Sequence, residues 1–116
     1  MTSVLVSPDG TMEFEASHGT VTRHYYRWRQ GEKTSTNPIA TIFAWSGALK
    51  RRGELDGLAQ LVRFGQALED ASLETLTEGV MTKDLLGLVE PGFPARGVDS
   101  EEFLDAIAER LAKKLA

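Results

Sequence analysis

The first sixteen residues show an apolar and polar pattern that is typical of a β-hairpin. Residues 4–6 form a short apolar run, and residues 12–16 alternate between apolar and polar side chains. Between them, Ser7-Pro8-Asp9-Gly10 has the composition of a tight turn, because proline presets its own φ and glycine accepts a positive one. The pattern predicts a β-hairpin over residues 4–16.

The segment that follows lacks any such periodicity. Residues 17–36 are rich in threonine, serine, glycine and arginine, and neither a two-residue nor a helical repeat runs through them. This composition predicts a long ordered loop. Loops of this length inside compact domains are often functional, so the segment is a candidate for ligand binding.

Helical periodicity begins at residue 37. Asn37 is a residue type that caps helices, and Pro38 suits the first helical position because its missing N–H would have no partner there. The predicted helix ends at Arg51-Arg52-Gly53, where cations favour the carbonyl terminus. Its apolar stripe consists of Ile39, Ile42, Phe43 and Leu49.

Three further helices are predicted downstream. One covers about residues 58–78 with Gly79 as its stop, and a short one covers residues 82–85. After a break at residues 91–94, Asp99 or Ser100 caps a last helix. The apolar side of that last helix is predicted to contain Leu104, Ile107, Leu111 and Leu115.

These elements together predict an α/β fold, a short β-hairpin followed by several helices that form a piece of an α/β protein, or else a small helical domain with a β-ribbon. A single hairpin is marginal on its own, since it needs more strands or helices to cover one face. The 116 residues are long enough for one domain with a core. The chain is therefore expected to be one unit over residues 1–116 that is incomplete as a domain.

The net charge of −4 is distributed unevenly along the chain. Residues 20–52 contain seven Lys and Arg against a single acid, Glu32, whereas six Lys and Arg face sixteen acids elsewhere. A local basic field in an acidic chain favours a small anionic ligand over nucleic acid, which needs a broad basic face. No nucleic-acid partner is therefore expected.

Several classes of protein are disfavoured by what the composition lacks. The sequence contains no cysteine, which excludes disulfides and thiolate metal sites. It has no apolar run of membrane-spanning length and no secretory signal pattern, so no membrane partner is expected. A cytoplasmic location fits these features, with an organelle matrix as the alternative.

The most informative motif lies at residues 18–24. Gly19 permits close backbone approach, and Arg23 and His24 offer cationic donors before the helix start at Asn37. A glycine turn, a cationic pair and a helix end together suit a phosphate-bearing ligand. The alternative is that Arg23 and His24 are ordinary solvated loop charges.

Four strings at residues 15–25, 34–40, 42–45 and 81–85 resemble, in order and spacing, those of homodimeric NADP-dependent isocitrate dehydrogenases. The resemblance covers nearly the whole chain, is loosest at residues 90–100, and is confined to the C-terminal segment of the family. It implies the C-terminal, coenzyme-binding part of that family's large domain.

The resemblance assigns a role to each matched position. The stretch Gly19, Thr20, Val21, Thr22, Arg23 and His24 is implied to surround the adenosine ribose and its 2′-phosphate, which Arg23 and His24 contact. His18 is implied to lie against the adenine, where Asn37 also binds, and Thr36 and Asp84 are further candidates on the adenine side. NAD-using relatives have an Asp and an apolar residue in place of Arg23 and His24, so the resemblance implies NADP rather than NAD.

The family's chemistry is implied to depend on residues outside this chain. Oxidative decarboxylation of isocitrate to 2-oxoglutarate with NADP reduction needs a divalent metal, Mg or Mn, and acid–base groups. The matching positions for these lie upstream of the segment that resembles this chain. No catalytic or metal-binding residue is therefore predicted here, and the chain alone is expected to be inactive.

Two interpretations of the resemblance stay open. In the first, the chain is the NADP-binding portion of an isocitrate dehydrogenase, which the family implies to be a homodimer. In the second, it is a non-catalytic module derived from that fold, which binds NADP or another protein. Asp84 has a further alternative, since an acid in this place also complements the N-terminus of a short helix.

Overall fold

The computed structural model describes residues 2–17, 19 and 22–116. Within these ranges, four short strands and five helices follow one another along the chain. Their bounds, in chain order, are β1 (Thr2–Val6), β2 (Met12–Ala16), α1 (Thr22–Arg29), α2 (Ile39–Asp56), α3 (Ala59–Thr77), β3 (Val80–Thr82), α4 (Lys83–Leu86), β4 (Arg96–Val98) and α5 (Ser100–Leu115).

The predicted hairpin is confirmed. β1 and β2 pair antiparallel, with Val4 opposite Phe14, and Gly10 closes the turn with φ of +87°. The carboxylate of Asp9 accepts the N–H of Thr11 at 3.0 Å and the hydroxyl of Ser7. These hydrogen bonds, the one from Ser7 first, lower the pKa of Asp9 to about 2. The turn chemistry expected from the sequence is therefore what holds the hairpin.

A glycine in α2 lets the hairpin lie against that helix. A Cβ at Gly47 would come within 2.8 Å of the Phe14 ring, so β2 approaches α2 more closely than any larger residue allows. The Thr2 hydroxyl also donates to the carbonyl of Ala40 at 3.2 Å. The hairpin is thus fixed to the first half of α2 by packing and by a hydrogen bond.

The predicted end of α2 at Gly53 is wrong. The helix continues to Asp56 and ends at Gly57, whose φ of +66° allows the N–H of Leu58 to bond the carbonyl of Gly53 at 2.8 Å. Gly53 itself is buried, and a Cβ there would clash with Val62 of α3. Glycine is needed at this position so that α2 and α3 can approach each other. In the sequence the same glycine looks like a helix stop.

The core lies where α3 and α5 meet the short strands. Phe103 and Ala71 have no exposed surface, and Ile107 and Val98 are almost as deeply buried. Ile39 and Ile42 pack against this cluster as predicted, whereas Leu104 of α5 is 44% exposed. The predicted core positions Ile107 and Leu111 are therefore confirmed, whereas Phe103 takes the place expected for Leu104, and Leu115 is exposed.

Two strands escape sequence prediction because each is only three residues long. β3 and β4 pair parallel, with Met81 opposite Gly97, and α4 follows β3 directly. Val80, Met81 and Thr82 come straight after Gly79, which leaves no room for an alternating pattern. The predicted short helix is confirmed as α4, with Thr82 at its N-cap, and the last helix is confirmed with Asp99 as its cap.

The prediction of an unbroken loop over residues 17–36 is also wrong. Thr22–Arg29 is a helix, α1, with no buried residue. The helix contains no aliphatic residue, its aromatic rings lie beside one another at the surface, and threonine and histidine have weak helix propensity. Two local signals identify it in retrospect: Arg27 and Arg29 lie in the last turn, and Gly31 follows with φ of +86°.

Residues 34–36 lie in the connection between α1 and α2, residues 30–38, and are held by two serine hydroxyls. The hydroxyl of Ser35 accepts the N–H of Lys83 at 2.8 Å and donates to the carbonyl of Val98 at 2.7 Å. The hydroxyl of Ser100 accepts the N–H of Thr36 at 2.7 Å and donates to its carbonyl at 3.0 Å. The segment is therefore tied to β3–α4 on one side and to β4–α5 on the other.

The architecture confirms the predicted class, a mixed α/β fold with a hairpin followed by helices. It matches a segment of an α/β domain, since its two sheets have two strands each in the described part. Searched over those same residues, no helix combines the length and the low polarity needed to cross a membrane. That the chain is incomplete as a domain stays a prediction.

Gly79 is the position where the fold tolerates a side chain least. Its φ is +92°, and a Cβ there would press against the carbonyl oxygen of Pro94. We expect Gly79→Ala to lower the free energy of unfolding by about 2–5 kcal/mol, the sum of the backbone strain and of overpacking. Urea unfolding followed by circular dichroism measures this change.

Gly92→Ala is the matched control for that substitution. Gly92 has nearly the same φ, +89°, but nothing lies within 4 Å of its Cβ position. This variant should lose only the strain, about 1–2 kcal/mol. Equal losses in the two variants would show that the contact with Pro94 does not matter.

The Ser35 hydroxyl provides a second test of the fold. Ser35→Ala removes the acceptor for the N–H of Lys83 and the donor to Val98, and we expect a loss of about 1–3 kcal/mol. Ser3→Ala removes a hydroxyl that bonds only the exposed Glu15 and should change stability by less than about 0.5 kcal/mol. Similar unfolding midpoints for the two variants would contradict the role given to Ser35.

Candidate functional site

The structure separates the predicted site residues into two groups. Arg23 and His24 lie in α1, which begins at Thr22, and Gly19 is exposed just before it. Thr36, Asn37 and Asp84 lie around the contact between Ser35 and Lys83, each within two residues of it. His18, Thr20 and Val21 lie outside the described residues. The site roles predicted for all ten positions stay predictions.

The second group is brought together across 48 residues of sequence. Because the Ser35 hydroxyl lies 2.8 Å from the amide nitrogen of Lys83, the connection that carries Thr36 and Asn37 runs beside the start of α4, where Asp84 is exposed. No local pattern in the sequence indicates this contact. The meeting of the segments that carry Asn37 and Asp84 is therefore a product of the fold.

Asn37 takes part in the start of α2, one residue later than predicted. Helix α2 begins at Ile39 with Pro38 at its N-cap, and the side-chain oxygen of Asn37 accepts the N–H of Ile39 at 3.0 Å. With that oxygen engaged, the amide nitrogen of Asn37 is the group left to donate to a ligand. A hydrogen-bond acceptor, such as a ring nitrogen of a purine, is the matching partner.

Arg23 and His24, from the first group, share a surface of α1 with three further residues. Arg23, Tyr26, Arg27 and Gln30 follow a three- and four-residue spacing, so their side chains lie on the same side of the helix, with His24 beside them. These five residues line an open depression of about 560 Å³. The sequence alone does not identify Tyr26, Arg27 and Gln30 as site residues, because their spacing has meaning only once the segment is known to be helical.

The electrostatics of this depression favour an anion. Within the described ranges, no carboxylate lies within ion-pair distance of Arg23, and Arg27 has a single, exposed partner, Glu32, at 3.5 Å. Arg23 is exposed and His24 is half-buried. An exposed arginine without an acidic partner keeps its planar fork of donors available for a phosphate.

A second depression, of about 520 Å³ between α3 and α5, has a different charge balance. Its cations are paired with acids: Lys114 with Glu74 at 2.7 Å, and Arg110 with Glu78. The hydrogen bond from Arg110 is the main cause that lowers the pKa of Glu78. Most of its cations are already engaged, so this surface stabilises the α3–α5 contact instead of offering an anion site.

Between α1 and α5, the start of α5 is held by its own acid. Asp99 accepts the N–H of Glu102 at 2.9 Å while Glu102 accepts the N–H of Asp99, a capping box. Lys33 also contacts Asp99 at 3.2 Å. The backbone bond from Glu102 first, and Lys33 after it, lower the pKa of Asp99, and the hydrogen bond to Asp99 raises that of Lys33. This helix start is therefore neutralised internally.

Comparison with known proteins identifies the family of this chain. Residues 1–107 match the sequence profile of the isocitrate/isopropylmalate dehydrogenase family. The chain is 53% identical to isocitrate dehydrogenase [NADP] 1 of Mycobacterium bovis over 117 aligned residues, which cover 100% of the chain and 28% of that relative. It is also 53% identical to the mitochondrial isocitrate dehydrogenase [NADP] of Saccharomyces cerevisiae, over 99% of the chain and 27% of the relative.

A mammalian relative gives the same result. The mitochondrial isocitrate dehydrogenase [NADP] of Sus scrofa is 50% identical over 99% of the chain. The chain spans about 28% of the length of this protein, as it does for the mycobacterial one. The family profile, however, covers more than nine-tenths of the chain itself. The chain belongs to the isocitrate/isopropylmalate dehydrogenase family.

Proposed function

We propose that this chain forms the NADP-binding portion of an NADP-dependent isocitrate dehydrogenase. The relatives described above carry that name, and they align with practically the whole chain. The observation that carries the proposal is Arg23, an exposed arginine without a carboxylate partner among the described residues, on a face of α1 that also contains a second arginine and His24.

Recognition of the 2′-phosphate is the main task of this face. NADP differs from NAD by that one group, which carries a charge of about −1.5 to −2 at neutral pH and three acceptor oxygens. The guanidinium of Arg23 can donate two parallel hydrogen bonds to such a group, and His24 can donate another from its ring. An unphosphorylated ribose offers these donors no anion, so the face favours NADP over NAD.

The adenine end of the coenzyme is proposed to lie at the second group of residues. The amide nitrogen of Asn37 donates to a ring nitrogen, because its oxygen is held by the N–H of Ile39. Thr36 and Asp84 flank the same region, and Asp84, although exposed in the first turn of α4, can accept from the exocyclic amine. His18, Gly19, Thr20, Val21 and Thr22 are proposed to surround the ribose and the adenine.

The bound NADP accepts a hydride, and the chemistry of isocitrate oxidation needs further groups. Searched over the part of the chain that the structure describes, no three His, Asp or Glu side chains gather so as to hold a metal. The described residues therefore offer no ligand set for the Mg or Mn that the reaction needs. We propose that the catalytic and metal-binding residues lie outside this chain, and expect no isocitrate-dependent NADPH formation from the chain alone.

A non-catalytic interaction module is the alternative function. It is favoured by one observation: one face of the hairpin exposes the apolar side chains of Val4, Val6 and Met12, of which Val6 is 59% exposed. Apolar clusters of this kind mark surfaces that pack against other protein. A homodimer and a cytoplasmic location both stay predictions for this chain.

Substitution of Arg23 tests the proposed coenzyme site. Arg23→Ala removes a charge-assisted contact worth about 1.5 kcal/mol when partly exposed, so we expect NADP to bind about tenfold more weakly and NAD to change by less than about twofold. Isothermal titration calorimetry with the 116-residue chain and each coenzyme at low salt measures both affinities.

Arg63→Ala on α3 is a control with the same change in net charge. Arg63 is exposed and does not line the α1 depression, so this variant should bind NADP as the wild type does. Equal binding of NADP and NAD by the wild type would contradict 2′-phosphate recognition. A loss of NADP affinity as large in Arg63→Ala would show a general charge effect instead of a specific site.

A further inference from the structure

We propose that Arg27 is a second arginine for the 2′-phosphate and that Glu32 restrains it until a phosphate monoester arrives. This inference rests on the proposed NADP site and adds two residues to it that determine specificity. Neither residue belongs to the motif by which the sequence resembles its family. The argument for each comes from how α1 is built and how it ends.

The helix places Arg27 beside Arg23. Four residues of α-helix turn by about 400°, so the two arginines lie about 40° apart around the axis of α1 and one turn apart along it. Both line the same open depression, together with Tyr26 and Gln30. A phosphate bound by the guanidinium of Arg23 on this face is therefore within reach of the long side chain of Arg27.

The end of α1 places Glu32 beside Arg27. Gly31 has a φ of +86°, its N–H bonds the carbonyl of Trp28 at 2.9 Å, and the N–H of Glu32 bonds the carbonyl of Arg27 at 3.0 Å. These two bonds are the Schellman closure of a helix. The closure folds the chain back over the last turn, and the carboxylate of Glu32 lies 3.5 Å from Nε of Arg27.

The pair is weak enough to be exchanged. The side chains of Arg27 and Glu32 are 67% and 54% exposed, and an exposed ion pair of this kind contributes little free energy. A phosphate monoester carries a larger charge than a carboxylate and offers three acceptor oxygens. Arg27 therefore leaves Glu32 for the 2′-phosphate of NADP, whereas NAD gives it no such partner and the pair stays intact.

Glu32 has a second effect on the bound phosphate. It is the single acid among residues 20–52, and it lies next to the cation that the phosphate needs. Its negative charge competes for Arg27 and repels the 2′-phosphate at short range. Glu32 therefore weakens NADP binding without affecting NAD, which makes it a residue that tunes how tightly the coenzyme is held.

Substitutions of the two residues separate their roles. Arg27→Ala should weaken NADP binding about fivefold and leave NAD within about twofold, and Glu32→Gln should tighten NADP about threefold through release of Arg27. In the double variant, Glu32→Gln should lose most of its benefit, because no arginine is left to release. Calorimetric titration of the chain with NADP and NAD at low salt gives all these values, and circular dichroism checks that each variant is folded.

Arg29→Ala is the matched control. Arg29 lies in the same last turn of α1 with the same charge, but about 200° around the axis from Arg27 and outside the depression. It should bind NADP as the wild type does. If Arg27→Ala and Arg29→Ala behave alike while Arg23→Ala still weakens NADP, the role of Arg27 is overturned and the proposed function stands. If the wild type does not prefer NADP over NAD, the proposed function itself fails.

Discussion

The hydroxyl of Ser35 is the contact on which the arrangement of the candidate site depends. It bonds an amide at the start of α4 and a carbonyl at the end of β4, two positions that the parallel pair of β3 and β4 already holds side by side. The Ser100 hydroxyl repeats the same two-way bonding to Thr36 one step further on. The connection between α1 and α2 is thereby tied to the ends of both strands of the small sheet. These bonds set the positions of Thr36 and Asn37, the candidate site residues in this connection.

A structural element can be predicted from the sequence when the interactions that determine it lie between residues close together in the chain. The hairpin turn, the Asp99 cap of α5 and the end of α3 before Gly79 are set by neighbours within four residues, and all three are confirmed. Gly53 shows the opposite case, since its small size serves a contact with Val62 in another helix and not a helix end. Helix α1 escapes prediction because its eight residues include no aliphatic side chain and none of them is buried. Where burial does not shape the pattern, periodicity is a poor guide.

The candidate site follows the same division. Arg23 and His24 are evident from the sequence as a cationic pair near a glycine, whereas Arg27 acquires its place only from the helical turn that joins it to Arg23. The segments that carry Asn37 and Asp84 are joined by a hydrogen bond between residues 48 apart in the sequence. Chemistry carried by adjacent residues can be recognised in one dimension. A site that the fold assembles from distant segments can be recognised only from the three-dimensional structure. This chain contains both kinds of site.

That α1 has no buried residue has a thermodynamic consequence for whatever binds to it. An isolated helix of eight residues gains little from its own backbone hydrogen bonds, since nucleation is costly and few turns follow. A ligand that bridges side chains one turn apart stabilises the helical backbone at the same time. The free energy of forming the helix therefore contributes to the free energy of binding such a ligand. Its affinity should fall on warming more steeply than contacts with a preformed, well-packed surface would, because the helix and the complex melt together.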